Sequence, residues 1–264
     1  MSSRLRPILE STRRRVDALR GRGPDLGARA RDRDAPRDFA AALRRPQRSG
    51  PVRVIGELKR RSPSAGSIRE DLDPVDAARR LESAGAAALS VLTEPEFFGG
   101  SLEFLDAVRD AVELPLLRKD FVLDPIQVVE ARAHGADAVL LLAVALDDAG
   151  IERCADEARA WGMGVLAEAH DAPELERLLT LDLPVIGVNA RDLDTFDVDL
   201  QRGLELCRRI PEDRVAVAES GVRTRDDAEH VRATAVDAVL CGEGLMRPGT
   251  PEDRFAELFG GPVP

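Results

Sequence analysis

Eight short apolar runs recur along this chain, and their spacing limits the folds it can adopt more than any other feature. They cover residues 53–58, 87–92, 115–118, 137–143, 164–167, 184–188, 214–218 and 237–241. Successive starts are separated by 34, 28, 22, 27, 20, 30 and 23 residues. Each interval has room for one strand, one helix and two short loops. The spacing therefore predicts a strand and helix unit repeated eight times.

The segments between the runs carry the residues that begin and end helices. Residues 73–85 and 124–135 each open with Asp-Pro and close with Gly, which is typical of an N-cap, a first-turn proline and a C-terminal glycine. Similar pentapeptides begin at Gly85, Gly135 and Ala235. Their offsets of 50 and 100 residues correspond to two and four units.

Runs without polar alternation indicate parallel strands that are buried on both faces. A doubly wound open sheet is the alternative, but it would usually carry a glycine-rich nucleotide loop after the first strand, and residues 57–64 contain no Gly-x-Gly. We therefore expect an α/β fold, a single (β/α)8 TIM barrel over residues 51–264. Residues 1–50 are expected to form an N-terminal helical extension packed on it.

The predicted extension is strongly basic, whereas the chain as a whole has a net charge of −10. Residues 1–50 hold fourteen Arg and six acids, a charge of +8 that leaves −18 for the remainder. These arginines alternate with acids and lack interleaved aromatic residues, so nucleic-acid binding is not expected. Ile8, Leu9, Val16 and Leu19 fall near helical spacing and are expected to face the barrel.

Composition also excludes several classes of protein. No apolar run reaches the roughly 18 residues of a membrane span, and the N-terminus lacks the apolar core of a signal peptide. The three cysteines are odd in number and far apart, which favours reduced, buried thiols over a disulfide framework or a metal site. We expect a cytoplasmic protein without a metal centre and without a membrane partner.

Only two of the 38 basic residues are lysines, and both lie where the predicted strands end. Lys59 follows the first strand and Lys119 the third. Because a barrel enzyme places its active site at the C-terminal ends of its strands, this position indicates catalysis. Arginine stays protonated at any useful pH, whereas a lysine can give up a proton.

Other polar residues follow the later strands. Glu168 ends the fifth strand and is a natural partner for Lys119, since a carboxylate in a barrel mouth needs an opposite charge or a role in proton transfer. Glycine-rich turns follow the seventh strand at Ser220-Gly221 and the eighth at Gly242-Glu243-Gly244. Barrels commonly bind phosphate at these two loops through backbone N–H groups.

Five segments, in this order, resemble the indole-3-glycerol phosphate synthase family. They are VIGELKRRSPSAG at 54–66, FFGGS at 97–101, LRKDF at 117–121, VNARDL at 188–193 and ESG at 219–221. The resemblance extends from about residue 5 to Met246. It implies a cytoplasmic lyase of tryptophan biosynthesis that needs no cofactor and acts as a monomer or weak homodimer. Its phosphosugar substrate would be 1-(2-carboxyphenylamino)-1-deoxyribulose 5-phosphate, decarboxylated and dehydrated to indole-3-glycerol phosphate.

The resemblance also implies a role for each strand-end residue. Lys119 would be the general acid of ring closure and Glu168 the acid/base group of dehydration. Lys59 would either hold an anionic group or donate the proton that expels water, and Glu57 and Glu219 would orient the two lysines.

The remaining implied residues bind the substrate. They are Ser62, Phe98, Phe121, Asn189, Arg191 and Ser220, together with Gly221, Gly242 and Glu243 around the phosphate. Core packing is the alternative for the two phenylalanines. Many relatives have a small hydroxyl residue at position 243, so a phosphate contact there would come from the backbone. Of the three histidines, only His170, two residues past Glu168, is a plausible neighbour of the pocket, and no direct role is expected because a loop histidine is usually solvated.

Three alternatives compete with this hypothesis. A phosphoribosylanthranilate isomerase would want a thiol or Asp base on the first strand, which offers Glu57 and Lys59 instead. A noncatalytic regulatory barrel would not need the complete set of acid and base residues that this sequence has in its two lysines and Glu168. A paralogue in indole-containing secondary metabolism would have the same residues, and the sequence does not separate it from an enzyme of primary tryptophan synthesis.

Overall fold

The computed structural model describes residues 4–48, 50–64, 66–247 and 249–260. Eight parallel strands close into a barrel in which each strand pairs with its neighbours in chain order, and the last pairs with the first. The strands are β1 (Arg53–Leu58), β2 (Ala88–Leu92), β3 (Leu116–Lys119), β4 (Ala138–Leu142), β5 (Gly164–Ala169), β6 (Val185–Asn189), β7 (Val215–Glu219) and β8 (Ala238–Cys241). The predicted TIM barrel is confirmed.

Three helices precede the barrel and the others follow its strands. The first three are α1 (Leu5–Leu19), α2 (Gly23–Arg31) and α3 (Phe39–Leu43). The next five are α4 (Pro74–Ala84), α5 (Leu102–Arg109), α6 (Pro125–Ala133), α7 (Asp148–Ala160) and α8 (Ala172–Leu179). The last four are α9 (Leu200–Cys207), α10 (Arg225–Arg232), α11 (Glu243–Met246) and α12 (Pro251–Phe259). Arg20–Arg22 and Pro46–Arg48 form 3-10 turns, and Arg61–Ser62 pairs antiparallel with Gly66–Ser67.

Local chemistry explains where the barrel helices begin. Each of α4 to α10, and α12, starts after an Asp, Ser or Thr whose side chain accepts a backbone N–H of the first turn. Such a cap satisfies a donor that the helix itself leaves without a partner. The helices predicted for residues 73–85 and 124–135 are confirmed as α4 and α6.

Four strands end one or two residues beyond the apolar runs that predicted them. β3 ends at Lys119, β5 at Ala169, β6 at Asn189 and β7 at Glu219. Backbone pairing continues through Glu168, which lies opposite Leu142 on one side and Gly187 on the other. The ladder tolerates these polar residues because their side chains enter the barrel mouth rather than the apolar core. The site residues are therefore held by rigid strands.

The N-terminal end of the barrel is closed by α3. Phe39 and Leu43 are buried in one cluster with residues that begin the strands, among them Ala138, Val185 and Ala238. This plug replaces solvent beneath the barrel with apolar contacts, as a packed barrel interior requires.

Two aspartates, 100 residues apart, fix the segment that carries the plug. Asp137 accepts the backbone N–H of Arg37 at 2.7 Å and that of Leu116 at 2.8 Å. Asp237 likewise accepts the N–H of Arg45 at 3.1 Å and that of Ala216 at 2.9 Å. The near-repeat in the sequence is thus a pair of equivalent buried anchors, four strands apart.

The first helix packs at the opposite, C-terminal end of the strands. The four apolar residues expected to face the barrel are all buried: Ile8, Leu9, Val16 and Leu19. Arg15 pairs with Asp120 at 3.0 Å, and the Ser11 hydroxyl donates to Glu96 at 2.7 Å. The extension therefore contacts both ends of the barrel, with α1 at the mouth and α3 at the base.

Replacing Phe39 by Ala should lower the free energy of unfolding by about 3–5 kcal/mol, since the ring is 1% exposed and its loss leaves a cavity beneath the strands. Urea denaturation measures the change. Phe259→Ala is the matched control, because that ring is only half-buried against Phe255, and its loss should cost less. Equal losses in the two variants would show that the plug does not close the core.

Candidate active site

One pocket opens at the C-terminal ends of the strands, and every residue that the sequence predicts for the site lines it. The set comprises Glu57, Lys59, Ser62, Phe98, Lys119, Phe121, Glu168, Asn189, Arg191, Glu219, Ser220, Gly221, Gly242 and Glu243. They come from seven of the eight strands or from the loops that follow them. Such convergence of polar groups is what a barrel active site requires.

Lys119 lies at the centre of the polar groups. Its Nζ donates to Glu168 Oε2 at 2.7 Å and to Glu219 Oε2 at 2.8 Å. All three side chains are nearly inaccessible to solvent. Because β3, β5 and β7 each contribute one group, the ammonium links alternate strands of the barrel.

Burial and neighbouring charge set the protonation of this cluster. Burial alone would lower the pKa of Lys119, but the carboxylates of Glu168 and Glu219 raise it overall. Burial alone would raise the pKa of Glu168, yet Lys119 and His170 hold it well below its usual range. Burial and the charge of Glu168 raise the pKa of Glu219 to about 8, and Lys119 offsets only part of this. Near neutral pH the cluster thus holds an ammonium, a carboxylate and a carboxylic acid.

Glu57 and Lys59 form a second pair of a carboxylate and an ammonium in the barrel mouth. They lie two residues apart, so both face the barrel interior, and Lys59 Nζ donates to Glu57 Oε1.

Two glycines make room for the buried carboxylates. A Cβ at Gly242 would lie 2.3 Å from Glu57 Oε1, and one at Gly187 would lie 2.2 Å from Glu219 Oε1. Any larger residue would displace the carboxylate that it faces.

A buried ionic network supports Lys119 from behind. Arg118 is fully buried and bonds Asp120 at 3.1 Å and Glu130 at 2.9 Å, and Arg15 of α1 pairs with Asp120 from the other side. Burial alone would raise the pKa of Asp120, but Arg118 and Arg15 hold it at about 2. The residues on both sides of Lys119 are therefore fixed by charge-assisted hydrogen bonds.

Asn189 connects the central cluster to the loop after β6. Its Nδ2 donates to Glu168 Oε1 at 3.0 Å, and its Oδ1 accepts the backbone N–H of Arg191 at 3.1 Å. Arg191 in turn donates to the carbonyl of Phe196 and contacts Glu243 at 3.4 Å.

The loops after β7 and β8 form a cationic corner of the pocket. Ser220 and Gly221 both have left-handed backbone conformations, with φ of 64° and 98°, which turns the chain sharply at the end of β7. The carboxylate of Glu243 faces Arg191, Arg223 and Arg247 at 3.4 to 4.0 Å. Burial alone would raise the pKa of Glu243, but these arginines lower it. Arg191 and Arg223 line the pocket, and two guanidinium groups at one end of a pocket are suited to an anionic substrate group.

The apolar wall includes two aromatic rings. The centroids of Phe98 and Phe121 lie 6.1 Å apart, and the rings are tilted by 43°. Both are half-buried and exposed toward the pocket rather than enclosed in the core.

Sequence reasoning missed several residues of the pocket. Arg4, Leu5 and Ile8 reach it from the extension, and the Arg4 guanidinium stacks 4.2 Å from the centroid of the Phe196 ring. His170 was not missed in this way: it lines the pocket, as its spacing from Glu168 predicts. The expectation that its ring is solvated is wrong, because its side chain is 9% exposed.

The described residues contain neither a cluster of metal-binding side chains nor a membrane-spanning helix. Within residues 4–48, 50–64, 66–247 and 249–260, no three His, Cys, Asp or Glu side chains are grouped to hold a metal ion. No helix in these same ranges has the length and apolar character needed to cross a bilayer.

Comparison with known sequences identifies close relatives. The family model for indole-3-glycerol phosphate synthase matches residues 5–258. An indole-3-glycerol phosphate synthase of Koribacter versatilis is 46% identical over 262 residues, which cover 98% of this chain and 100% of the relative. Its counterpart in Rhodospirillum rubrum is 48% identical over 266 residues, with the same coverage.

Solved structures at low sequence identity share the fold. A chain of the tryptophan synthase a2b2 complex from Pyrococcus furiosus has a TM-score of 0.59 at 16% identity, covering 79% of this chain and 98% of that chain. A thiamine phosphate pyrophosphorylase from Pyrococcus furiosus has a TM-score of 0.58 at 16% identity, covering 80% and 95%. At this identity the likeness concerns the barrel alone.

The raised pKa of Glu219 predicts a pH-dependent stability. Between its ordinary pKa of 4.5 and about 8, the folded state holds a proton that the unfolded state has lost, so this group's contribution to stability falls as pH rises. Glu219→Gln removes the titration. The variant should therefore gain stability relative to the natural protein from pH 5 to 8 and show no further gain above it.

Chemical denaturation at several pH values measures this difference. The control is Glu176→Gln on α8, because the Glu176 side chain is 64% exposed and pairs with Arg209. A constant offset between Glu219→Gln and the natural protein would contradict the proton on Glu219.

Proposed function

The chain belongs to the indole-3-glycerol phosphate synthase family, and from this membership we propose how its pocket carries out the reaction. The enzyme is a carboxy-lyase of tryptophan biosynthesis. It converts 1-(2-carboxyphenylamino)-1-deoxyribulose 5-phosphate to indole-3-glycerol phosphate, carbon dioxide and water. The observation that carries the assignment of roles is the contact of Lys119 Nζ with both Glu168 and Glu219 in the barrel mouth.

We propose that Lys119 is the general acid of ring closure. As the ring carbon that bears the carboxylate attacks the ketone, negative charge develops on the carbonyl oxygen, and an ammonium beside it donates a proton. The raised pKa of Lys119 supports this role, since it keeps the side chain protonated before the substrate reacts.

Loss of carbon dioxide then restores the aromatic ring. The electron pair of the breaking C–C bond returns to the ring, so this step needs no acid or base, and the apolar wall formed by Phe98 and Phe121 suits the ring.

We propose that dehydration uses Glu168 and Lys59. Glu168 takes the proton from the methylene carbon next to the nitrogen, while Lys59 protonates the departing hydroxyl group. The low pKa of Glu168 supports the first role, because only the ionised carboxylate accepts a proton. The contact of Lys59 with Glu57 supports the second, because that carboxylate orients the ammonium.

The remaining residues hold the substrate. We propose that Asn189 and Ser62 bind its hydroxyl groups, and that the phosphate binds the backbone of Ser220, Gly221 and Gly242. The cationic corner around Arg191 supports an anion there. The carboxylate of Glu243 already contacts these arginines, which supports a backbone contact at that position.

The location and the partners of the protein follow from other observations. Cys154, Cys207 and Cys241 are free and buried, which supports a reducing compartment, and we propose the cytoplasm. Arginines of the extension pair with acids of the same chain, such as Arg15 with Asp120. These pairs support an enzyme that does not bind nucleic acid. We propose that it acts as a monomer or weak homodimer.

A direct assay tests the activity. Purified protein is mixed with 1-(2-carboxyphenylamino)-1-deoxyribulose 5-phosphate, and the absorbance and fluorescence of the indole product are followed. Turnover is the expected result. A folded sample that leaves this substrate unchanged would overturn the assignment.

Lys119→Arg should lose activity by on the order of 10²–10⁴-fold, because a guanidinium keeps the positive charge but does not donate a proton at useful pH. The assay above measures kcat and KM, and circular dichroism establishes that the variant is folded. Turnover close to that of the natural protein would refute Lys119 as the general acid.

Gly242→Ala should leave the fold intact and reduce kcat by on the order of 10–100-fold, since small displacements of a reacting group have effects of this size. The new Cβ would lie 2.3 Å from Glu57 Oε1, and a flexible side chain can move away at little cost in stability. Gly21→Ala is the matched control, because no atom lies within 4 Å of its added Cβ. Equal rates for the two variants would show that the position of Glu57 does not matter.

A further inference from the structure

His170 lies behind the central cluster, between the end of β5 and the start of α8. Its ring Nε2 lies 3.1 Å from Glu168 Oε1, and its Nδ1 lies 3.2 Å from Glu174 Oε2. Its backbone N–H also donates to Glu174 Oε2 at 2.8 Å. The Nδ1 atom is hydrogen-bonded with Glu174, whereas Nε2 lies at ion-pair distance from Glu168 without the alignment of a hydrogen bond. A carboxylate therefore stands at each edge of the ring.

The two contacts define the charge of the ring. A neutral imidazole has one N–H and one lone pair, so it can donate to only one of two acceptors. An ionised carboxylate offers only acceptor atoms, and His170 faces one on each nitrogen. Two carboxylate oxygens at 3.1 and 3.2 Å favour the positively charged ring, the imidazolium, in which both nitrogens carry protons.

The charges around His170 come from every element that packs against it. On the pocket side, Glu168 also contacts Lys119 of β3 and Asn189 of β6, and Lys119 is shared with Glu219 of β7. On the outer side stand Glu174 of α8 and Arg202 of α9, which donates to the His170 carbonyl at 3.4 Å.

We propose that His170 is a positioning residue that remains an imidazolium and keeps Glu168 oriented and ionised until Glu168 accepts the proton of the dehydration step. The proposal rests on the role of Glu168 in dehydration given above.

The reaction itself explains why a second cation is needed. Before ring closure, Lys119 neutralises Glu168. Once Lys119 has given its proton to the substrate, it is neutral, and Glu168 would stand beside Glu219 without that charge. The imidazolium stays in contact with Glu168 Oε1, so the carboxylate can still accept the proton of the next step. Burial alone would lower the pKa of His170, but Glu168 and Glu174 raise it to about 10.

Kinetic measurements on three variants test this role. His170→Asn keeps an N–H donor but removes the charge, so Glu168 should bind a proton more readily. The acid limb of kcat should then move to higher pH and kcat should fall on the order of 10-fold, while KM changes less. Glu174→Gln keeps the His170 ring but removes one carboxylate beside it, so the imidazolium should lose its proton at lower pH. The alkaline limb of the kcat profile should then move to lower pH. Glu176→Gln, on the exposed side of α8, should reproduce the natural profile.

Nitrogen NMR gives a readout that does not depend on activity. The chain has three histidines, and His170→Asn identifies the signals of this ring in protein labelled with ¹⁵N-histidine. In the natural protein both nitrogens of His170 should be protonated at pH 8, where an ordinary imidazole is neutral. Glu174→Gln should move the deprotonation to lower pH, and Glu176→Gln should not.

The outcomes separate this inference from the proposed function. Activity in Glu168→Gln would refute the role of Glu168 itself. If Glu168→Gln is inactive while the pH profile of His170→Asn superimposes on that of the natural protein, the inference about His170 fails alone. A neutral His170 ring at pH 8 also overturns it, whether or not the variants are active.

Discussion

The contact of Lys119 with Glu168 and Glu219 is the constraint on which the rest of the mouth depends. An ammonium and two carboxylates removed from water are costly unless each is paired, so their positions must be held closely. Strands rather than loops carry all three. Gly187 leaves space for one carboxylate, and the Arg118 and Asp120 network fixes the backbone on both sides of the lysine.

The parts of the fold that the sequence predicts are those set by interactions between residues close together in the chain. Apolar runs, helix caps and terminal glycines act within a few residues, so eight strands and the starts of α4 and α6 follow from the printed chain. The strand ends do not follow as well, because pairing continues through Lys119 and Glu168. Backbone hydrogen bonds between neighbouring strands do not depend on whether a side chain is polar, provided that the side chain can point into a pocket.

The site is predicted where polar residues stand at the ends of strands, and it is missed where the N-terminal extension reaches the barrel. Glu57 with Lys59 and Glu168 with Lys119 follow from position at the strand ends. The pocket contacts of Arg4 and Ile8 do not, since the sequence shows that α1 packs on the barrel but not at which end. The spacing of His170 from Glu168 predicts that it lies near the pocket, but it does not predict the contacts with Glu174 of α8 and Arg202 of α9.

The plug at the base of the barrel, formed by Phe39 and Leu43, is synthesised on the ribosome long before the residue that anchors it. The backbone of Arg45 is anchored by Asp237, which is added 192 positions later. At about 5–20 residues per second, this delay is roughly 10 to 40 s. The floor of the barrel is thus completed by the last strand to emerge. The nascent N-terminal segment must wait, with Phe39 and Leu43 unburied, until nearly the whole chain exists.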